Sequence, residues 1–181
     1  MIIFFGPAGA GKSVQGQLLA ARHGWKWLST GEMLRKSKDP EVIEILKTGE
    51  LISDERTYDV VRGALADSKE SNRLIIDGFP RTMTQAQWLM KPENSMGREV
   101  AMVVVLEVPE SVIQKRLSLR GRDQDTPEII ARRMNIYRKE MYPVLGFFAE
   151  KDIKVLHIDG TGTVGETHDR IVGAIEHSEI S

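Results

Sequence analysis

A glycine-rich loop near the beginning of the sequence limits the fold more than any other feature. Residues 6–13 read GPAGAGKS, which fits the pattern G-x-x-x-x-G-K-S/T, and they follow the apolar run Ile2–Phe5 directly. Such a loop turns successive backbone N–H groups toward one concavity, a helix N-terminus adds positive potential, and the lysine neutralises the outer phosphates. The loop therefore predicts a nucleoside triphosphate site, with Ser13 as a candidate ligand of Mg²⁺.

Short apolar runs alternate with longer amphipathic stretches along the rest of the chain. Apolar strands separated by helices predict a parallel sheet covered on both faces, which is a three-layer α/β domain. The apolar runs predict strands at residues 2–5, 25–28, 73–76, 101–108 and 153–158. Residues 29–32 have capping-box spacing, Thr126 suits an N-cap, and Pro109 and Pro127 suit first helical positions.

The composition excludes several classes of protein. The chain has 181 residues, and its 25 Lys and Arg balance 26 Asp and Glu, which excludes a globally basic nucleic-acid binder and an acidic disordered tail. The absence of cysteine excludes thiol nucleophiles, disulfide scaffolds and cysteine-bearing zinc sites. The longest apolar run, Val100–Leu106, is too short for a membrane span, and the first five residues lack a basic region. We expect one soluble, cytoplasmic domain without a signal peptide and without nucleic-acid or membrane partners.

An acidic residue extends the predicted triphosphate site. The apolar run Leu74–Ile76 ends in Asp77, as the strand on the metal side of such a loop often does. Many buried strands end in aspartate, so this pattern is weak by itself. Together with the glycine-rich loop it makes Asp77 a candidate for holding Mg²⁺ through a water molecule.

Two glycine patterns near the end of the chain are less informative. Residues 160–165 fit the dinucleotide pattern G-x-G-x-x-G, but the 16 residues after Gly165 are too few to supply the next strand and its ribose-binding acid. Residues 159–162 fit the D-x-x-G of a GTPase switch, yet the sequence contains no Asn-Lys-x-Asp motif. A dinucleotide site and a GTPase switch are therefore both disfavoured.

Arginines are concentrated after the fourth predicted strand. Arg116 and Arg120 share a helix face at i,i+4 spacing, and the polar break that follows carries Arg122. Such a break can fold over a phosphate chain and carry guanidinium groups to a transferring phosphoryl group. Arg81 follows a sharp Gly-Phe-Pro turn at the carboxyl end of a strand, where α/β proteins bind ligands. A solvated surface is the alternative explanation for each of these arginines.

The order and spacing of these motifs resemble the adenylate kinase family over essentially the whole chain. The motifs at 29–35 and 77–81 are highly specific to nucleoside-monophosphate kinases. The resemblance is carried by residues 6–15, 28–35 (LSTGEMLR), 49–55 (GELISDE), 77–82 (DGFPRT) with Gln85, 120–122 (RGR), and Arg133 with Tyr137.

The resemblance implies a fold and a reaction. The expected fold is a single P-loop NTPase domain over residues 1–181, with a five-stranded parallel sheet, a helical NMP-binding region at 29–59 and a very short lid at 120–127. In this family the γ-phosphoryl group of ATP is transferred reversibly to AMP, giving two ADP, with Mg²⁺ bound to ATP. The resemblance further implies a monomer, and the lid cannot be of the zinc-binding form because cysteine is absent.

Site residues follow from the same resemblance. The AMP site is expected at Thr30, Arg35, Glu50, Leu51, Ile52, Gly78, Phe79, Pro80, Arg81, Gln85, Arg122 and Arg133. The ATP site is expected at Gly9, Ala10, Gly11, Lys12, Ser13, Val14, Arg120 and Gly162. Phosphoryl transfer is expected to depend on Lys12, Arg81, Arg116, Arg122 and Arg133.

The sequence departs from the family pattern at two places. Ser13 and Val14 stand where the family usually has Gly and Thr, so any hydroxyl role moves by one position. In the lid, Gln124 and Asp125 stand where two adjacent Asp are expected, which affects any contact made by the first of them.

Three alternative functions share parts of this pattern. A UMP/CMP kinase has the same scaffold, but Thr30 and Gln85 favour adenine, to whose edge Gln85 offers both a donor and an acceptor. A small-molecule kinase acting on a hydroxyl needs a carboxylate base, for which Asp54 or Asp77 could be proposed. A non-catalytic nucleotide sensor would keep the loop but would not require the arginines around the lid.

Overall fold

Five parallel strands form one sheet in this computed structural model, which describes residues 1–71, 73–122 and 125–179. The strands are β1 (Ile2–Phe5), β2 (Lys26–Ser29), β3 (Leu74–Asp77), β4 (Met102–Glu107) and β5 (Lys154–Asp159), in the order β2-β3-β1-β4-β5. The helices are α1 (Lys12–His23), α2 (Thr30–Arg35), α3 (Pro40–Thr48), α4 (Asp54–Ala66), α5 (Met83–Leu89), α6 (Pro92–Ser95), α7 (Glu110–Arg120), α8 (Pro127–Glu150) and α9 (Val164–Glu179).

The central strands are buried on both faces. Ile3 and Phe5 of β1 pack into one apolar core, and Ile2 and Phe4 pack into a second core on the other side of the sheet. The two cores are covered by helices, which explains the nearly continuous apolar sequence of β1, β3 and β4. The predicted three-layer α/β fold with a five-stranded parallel sheet is confirmed.

Most of the predicted helix starts agree with the structure. The Ser29 hydroxyl accepts from the Glu32 backbone N–H at 3.3 Å, and Pro127 is the first residue of α8, which Thr126 caps. The prediction for Pro109 is wrong by one position, because α7 begins at Glu110. The backbone of Pro109 has ψ 143°, so the chain is still extended there after leaving β4.

The predicted strand boundaries also shift slightly. Strand β2 begins at Lys26 rather than Trp25, since the Trp25 N–H donates to the Ala20 carbonyl in the turn that ends α1. Gly24 occupies the left-handed region with φ 67°, which lets the chain reverse at this point. Residue 25 therefore belongs to the turn that follows α1 and not to the strand.

The region predicted at 29–59 is helical and has its own small core. Leu34, Val42 and Ile52 form an apolar cluster that is separate from the two cores at the sheet. Helix α4 continues to Ala66, so a boundary at 59 falls inside a helix.

The predicted lid connects two packed helices. Arg120 ends α7 and Pro127 begins α8, and these helices meet in a cluster that contains Leu117 and Ile130. Gln124, at which the sequence departs from the family pattern, lies outside the described residues, as does Asp123. No helix within the described part of the chain has the length and apolar character that crossing a bilayer would require.

Candidate active site

The glycine-rich loop lies between β1 and α1, as the sequence predicts. Gly9 has φ 86°, and a Cβ at this position would lie 2.9 Å from Cγ of Leu117, so the loop passes close under α7. The Lys12 ammonium donates to the carbonyls of Gly6 at 2.7 Å and Pro7 at 2.9 Å. These bonds fold the lysine back over its own loop and hold its charge at the mouth of the concavity.

Burial lowers the pKa of Lys12 below its ordinary value, and the nearby Asp77 carboxylate opposes that shift. Burial likewise lowers the pKa of Arg81, again opposed by Asp77. Both cations are thus partly removed from water. In such surroundings a cation attracts an anion more strongly than it does in bulk solvent. The arrangement favours phosphate oxygens beside them.

A serine and a carboxylate meet beside this lysine. The Ser13 hydroxyl donates to Oδ2 of Asp77 at 2.6 Å, and Asp77 is only 3% exposed at the carboxyl end of β3. Both side chains present oxygen, the ligand type that Mg²⁺ prefers. The residues present therefore fit a magnesium ion that arrives with a triphosphate. The described residues contain no group of three or more His, Asp or Glu side chains that could hold a metal ion unaided.

Two of the predicted arginines are anchored to backbone carbonyls. Nε of Arg81 donates to the Gly78 carbonyl at 2.9 Å. Arg116 donates through Nη1 to the Ala10 carbonyl at 3.3 Å and through Nη2 to the Gly160 carbonyl at 2.9 Å. Arg116 thereby joins the glycine-rich loop to the turn that follows β5.

Two arginines, Arg120 at the end of α7 and Arg133 of α8, converge on one buried carboxylate. Arg120 makes a two-pronged contact with Asp125, with Nε 2.8 Å from Oδ2 and Nη2 2.6 Å from Oδ1. Nη1 of Arg133 lies 3.5 Å from the same Oδ1, and the Asp125 side chain is 2% exposed. The sequence analysis treated Asp125 only as a remnant of the family pattern and missed this anchoring role.

The guanidinium groups repel one another across the cavity. Burial lowers the pKa of Arg35, and the nearby Arg122 and Arg120 lower it further. Burial also lowers the pKa of Arg133, against the effect of Asp125. A polyanion between these groups would relieve the repulsion, which is the electrostatic condition for a phosphate site.

The opposite end of the cavity contains buried polar groups. The Thr30 hydroxyl donates to the Asp77 carbonyl at 3.2 Å. Oε1 of Gln85 accepts from the Arg81 backbone N–H at 2.8 Å, and its Nε2 donates to Oδ1 of Asp54 at 2.8 Å. Thr30 and Gln85 are 1% and 2% exposed, so protein contacts rather than bulk water set their orientations.

One cavity of about 600 Å³ brings nearly all the predicted residues together. Phe79 and Pro80 do not line it: Phe79 is buried against the rings of Tyr58 and Trp88, and Pro80 lines an adjacent cavity of about 120 Å³. The predicted residues that line the large cavity are Gly9, Ala10, Gly11, Lys12, Ser13, Val14, Thr30, Arg35, Glu50, Leu51, Ile52, Asp77, Gly78, Arg81, Gln85, Arg116, Arg120, Arg122, Arg133 and Gly162.

Sequence reasoning missed some residues of this cavity. Thr163 and Val164, at the start of α9, line it next to Gly162, and Nε2 of Gln15 donates to the Val164 carbonyl at 2.9 Å. Leu34 and Thr57 line the end near Gln85. The glycines at 160 and 162 were the available signal for the first pair, but the resemblance assigned only Gly162 to the predicted ATP site and not the residues that follow it.

Comparison with known proteins agrees with this site. The family model described as adenylate kinase matches residues 4–153. Proteins named adenylate kinase are similar over most of their length: one from Prochlorococcus marinus (strain MIT 9301) is 37% identical over 174 residues, covering 87% of this chain and 94% of the relative. Another from Thermus thermophilus is 35% identical, with 96% of both chains covered, and one from Maricaulis maris is 36% identical, with 97% of this chain and 98% of the relative covered.

The matched family model spans the glycine-rich loop, the region of α2 to α4, the turn with Arg81 and the lid. The relatives extend the match to nearly the whole chain. The chain belongs to the adenylate kinase family and is an adenylate kinase enzyme.

Proposed function

We propose that this enzyme transfers the γ-phosphoryl group of Mg²⁺-bound ATP to AMP and forms two ADP reversibly. The observation that carries the proposal is the single cavity that joins the glycine-rich loop to the buried pair Thr30 and Gln85. Cationic side chains line the same cavity, and in this proposal the phosphoryl group passes beside them from donor to acceptor. Those predicted for this step are Lys12, Arg81, Arg116, Arg122 and Arg133.

The chemical step requires positioning and charge rather than proton removal. An oxygen of the AMP phosphate attacks the γ-phosphorus of ATP, the bond from that phosphorus to the bridging β-γ oxygen breaks, and the electron pair leaves on the β-phosphate of ADP. The attacking phosphate is already largely ionised at neutral pH, because its second pKa is about 6. The lysine and arginines stabilise the charge that spreads over the transferring oxygens.

The carboxylates of the cavity support this assignment over a hydroxyl kinase. Asp77 is buried and accepts from Ser13, and Asp54 accepts from Gln85. Each carboxylate is thus already engaged with a side chain of the protein, whereas a general base must reach the hydroxyl of its substrate.

Ser13 and Asp77 are the residues proposed to hold Mg²⁺, with Asp77 acting through a bound water. The ion supplies positive charge to the phosphate oxygens when it is bound with ATP. Its binding would use the hydroxyl and carboxylate that already lie 2.6 Å apart.

The buried pair supports adenine as the acceptor base. The Thr30 hydroxyl donates its only hydrogen to the Asp77 carbonyl, so toward a ligand it can only accept. An amino group such as that of adenine is the matching partner. This disfavours uracil, which has no amino group, and the preference for AMP over GMP and CMP is proposed from the family resemblance, with Gln85 contributing to that choice.

A monomeric enzyme is proposed from the family resemblance alone. Its location in the cytoplasm and the absence of nucleic-acid partners stay predictions from the composition.

The proposal is tested by mixing the protein with ATP, Mg²⁺ and each nucleoside monophosphate in turn and measuring the diphosphate formed. AMP should give the highest kcat/KM, and chelation of Mg²⁺ should stop the reaction. A higher kcat/KM with CMP or UMP would assign the chain to the other base class instead. Nucleotide binding without any diphosphate formation would indicate a sensor.

A further inference from the structure

The side-chain amide of Gln85 is held in one orientation by two partners, one a hydrogen-bond donor and the other an acceptor. Its oxygen accepts from the Arg81 backbone N–H, and its nitrogen donates to the Asp54 carboxylate, each at 2.8 Å. A half-turn of the amide would set its NH₂ against the N–H of Arg81 and its oxygen against the carboxylate of Asp54. Both contacts would then be repulsive, since a backbone N–H only donates and a carboxylate only accepts.

Helix packing keeps Asp54 in place for this contact. Asp54 is the first residue of α4, and Gln85 lies on α5. One turn beyond Asp54, the ring of Tyr58 stacks on Trp88 of α5 with centroids 4.3 Å apart. Asp54 therefore approaches Gln85 from a helix that is already packed against α5.

The fixed orientation matters because a glutamine amide carries one donor group and one acceptor group. Adenine and cytosine present a ring-nitrogen acceptor beside an amino donor, whereas hypoxanthine, guanine and uracil present a ring N–H beside a carbonyl oxygen. A glutamine that turns freely can match either pattern by exchanging its two ends. A glutamine that cannot turn presents one order of donor and acceptor only.

Gln85 retains hydrogen-bonding capacity toward the cavity that it lines. After its bonds to Asp54 and Arg81, the amide has one N–H and one oxygen lone pair left. Because the Arg81 contact is made by the backbone, no side-chain change at residue 81 can reverse it. Asp54 is thus the side chain whose chemistry decides whether the reversed amide is tolerated.

We propose that Asp54 is a positioning residue for base selection: by fixing the Gln85 amide, it makes the acceptor site favour 6-amino over 6-oxo purines. This inference rests on the proposed function, in which Gln85 faces the base of the acceptor. Asp54 itself need not touch the nucleotide.

The test compares AMP with inosine monophosphate, which has the same size and differs by an oxo group in place of the 6-amino group. We expect the wild-type protein to have a higher kcat/KM for AMP. Asp54→Asn and Asp54→Ser each place a group beside Gln85 that can donate or accept, so one of the two contacts that disfavour the reversed amide is removed while the Arg81 N–H contact remains. In both variants the AMP to inosine monophosphate ratio of kcat/KM should fall about fivefold to tenfold, mainly through tighter binding and faster use of inosine monophosphate.

Asp59→Asn is the matched control, because it removes the same charge from a well exposed position on α4. Its ratio should equal that of the wild type. The ratio of two acceptors measured on one preparation cancels any general loss of folded or active enzyme, and thermal unfolding reports stability separately. If Asp54→Asn does not fold, the proposal is tested by the kcat/KM ratio of the Asp54→Ser variant.

Three results would overturn the proposal. They are equal use of both acceptors by the wild type, an unchanged ratio in the Asp54 variants, and an equal loss of activity with both acceptors. The last result would make Asp54 structural only. Failure of the wild type to form ADP from AMP would instead refute the proposed function, so the two failures are distinguishable.

Discussion

The two ends of the cavity differ in how their surfaces are prepared for a ligand. At the end with Thr30 and Gln85, polar atoms are almost fully buried and already hydrogen-bonded in fixed directions. At the end with the glycine-rich loop, Val14 is 47% exposed and Val164 is 52% exposed. One end offers directed hydrogen bonds, whereas the other offers charge for phosphates and an open apolar surface.

This difference indicates where selection between bases should be strong. When a wrong base leaves a buried polar group without a hydrogen-bond partner, the loss of binding free energy is much larger than the loss of an exposed apolar contact. The connection between α7 and α8 covers only residues 121–126, so we expect the predicted lid to add little cover. We therefore expect the acceptor end to select its base more strictly than the donor end.

The largest effect is expected between the two ends, where both phosphate chains meet. Arg133→Ala should lower kcat by roughly 10³-fold with little change in KM, since the guanidinium stabilises charge on the transferring group. Arg138→Ala is the control, because Arg138 also lies on α8, is exposed in an ion pair with Glu110 and is not among the residues that line the cavity. A rise in KM alone at residue 133 would show uniform binding and contradict the expectation.

The next effect tests the donor end directly. Lys12→Ala should lower kcat by about 10²-fold or more, because it removes the charge held beside the phosphates. Circular dichroism should be unchanged, and Lys36→Ala, which alters a lysine in an exposed ion pair with Glu32, should retain wild-type turnover. If Lys12→Ala keeps its activity within tenfold of the wild type, the assignment of the loop is wrong.

A smaller effect is expected at the acceptor end. Thr30→Ala combined with Gln85→Asn should weaken the preference for AMP over GMP and CMP by about 1–3 kcal/mol in kcat/KM, since the adenine edge loses its partners. The selectivity among ATP, GTP and CTP should not move in this double variant. A parallel loss of donor selectivity would mean that the two ends are not independent.

The smallest effect concerns the donor base in the unmodified protein. Turnover with ATP, GTP and CTP at fixed AMP should vary less than turnover with AMP, GMP and CMP at fixed ATP. The cause is the short lid, which leaves less surface to cover the donor base. Stricter selection among donors would show that another part of the molecule closes over that base.

The sequence was informative wherever a short repeat or motif reports local geometry. Short apolar runs predicted all five strands to within one residue at each end, and the loop motif predicted the position of Lys12. The start of α7 was predicted one residue too early, at Pro109, because the fixed φ of proline suits both the first helical residue and the extended residue before it. The fold class followed from the alternation of these elements.

Contacts between residues far apart in the sequence could not be predicted from such local patterns. Asp54 and Gln85 are 31 positions apart, and Arg116 and Ala10 are 106 apart, so only the packing of helices and strands brings them together. The anchoring of Arg120 and Arg133 by Asp125 depends likewise on how α8 docks against α7. The Phe79 side chain lies in the core beside Tyr58 of α4 and Trp88 of α5, a contact that no local pattern indicates.

The bridge made by Arg116 bears on the order in which the molecule is completed during synthesis. Ala10 is made among the first residues, whereas Gly160 follows the last strand, and the bridge needs both carbonyls. A growing chain on the ribosome thus contains the whole glycine-rich motif long before β5 can dock beside β4 and provide the second carbonyl. Stabilisation of the nascent fold by nucleotide should therefore arrive late, after nearly the entire polypeptide has emerged.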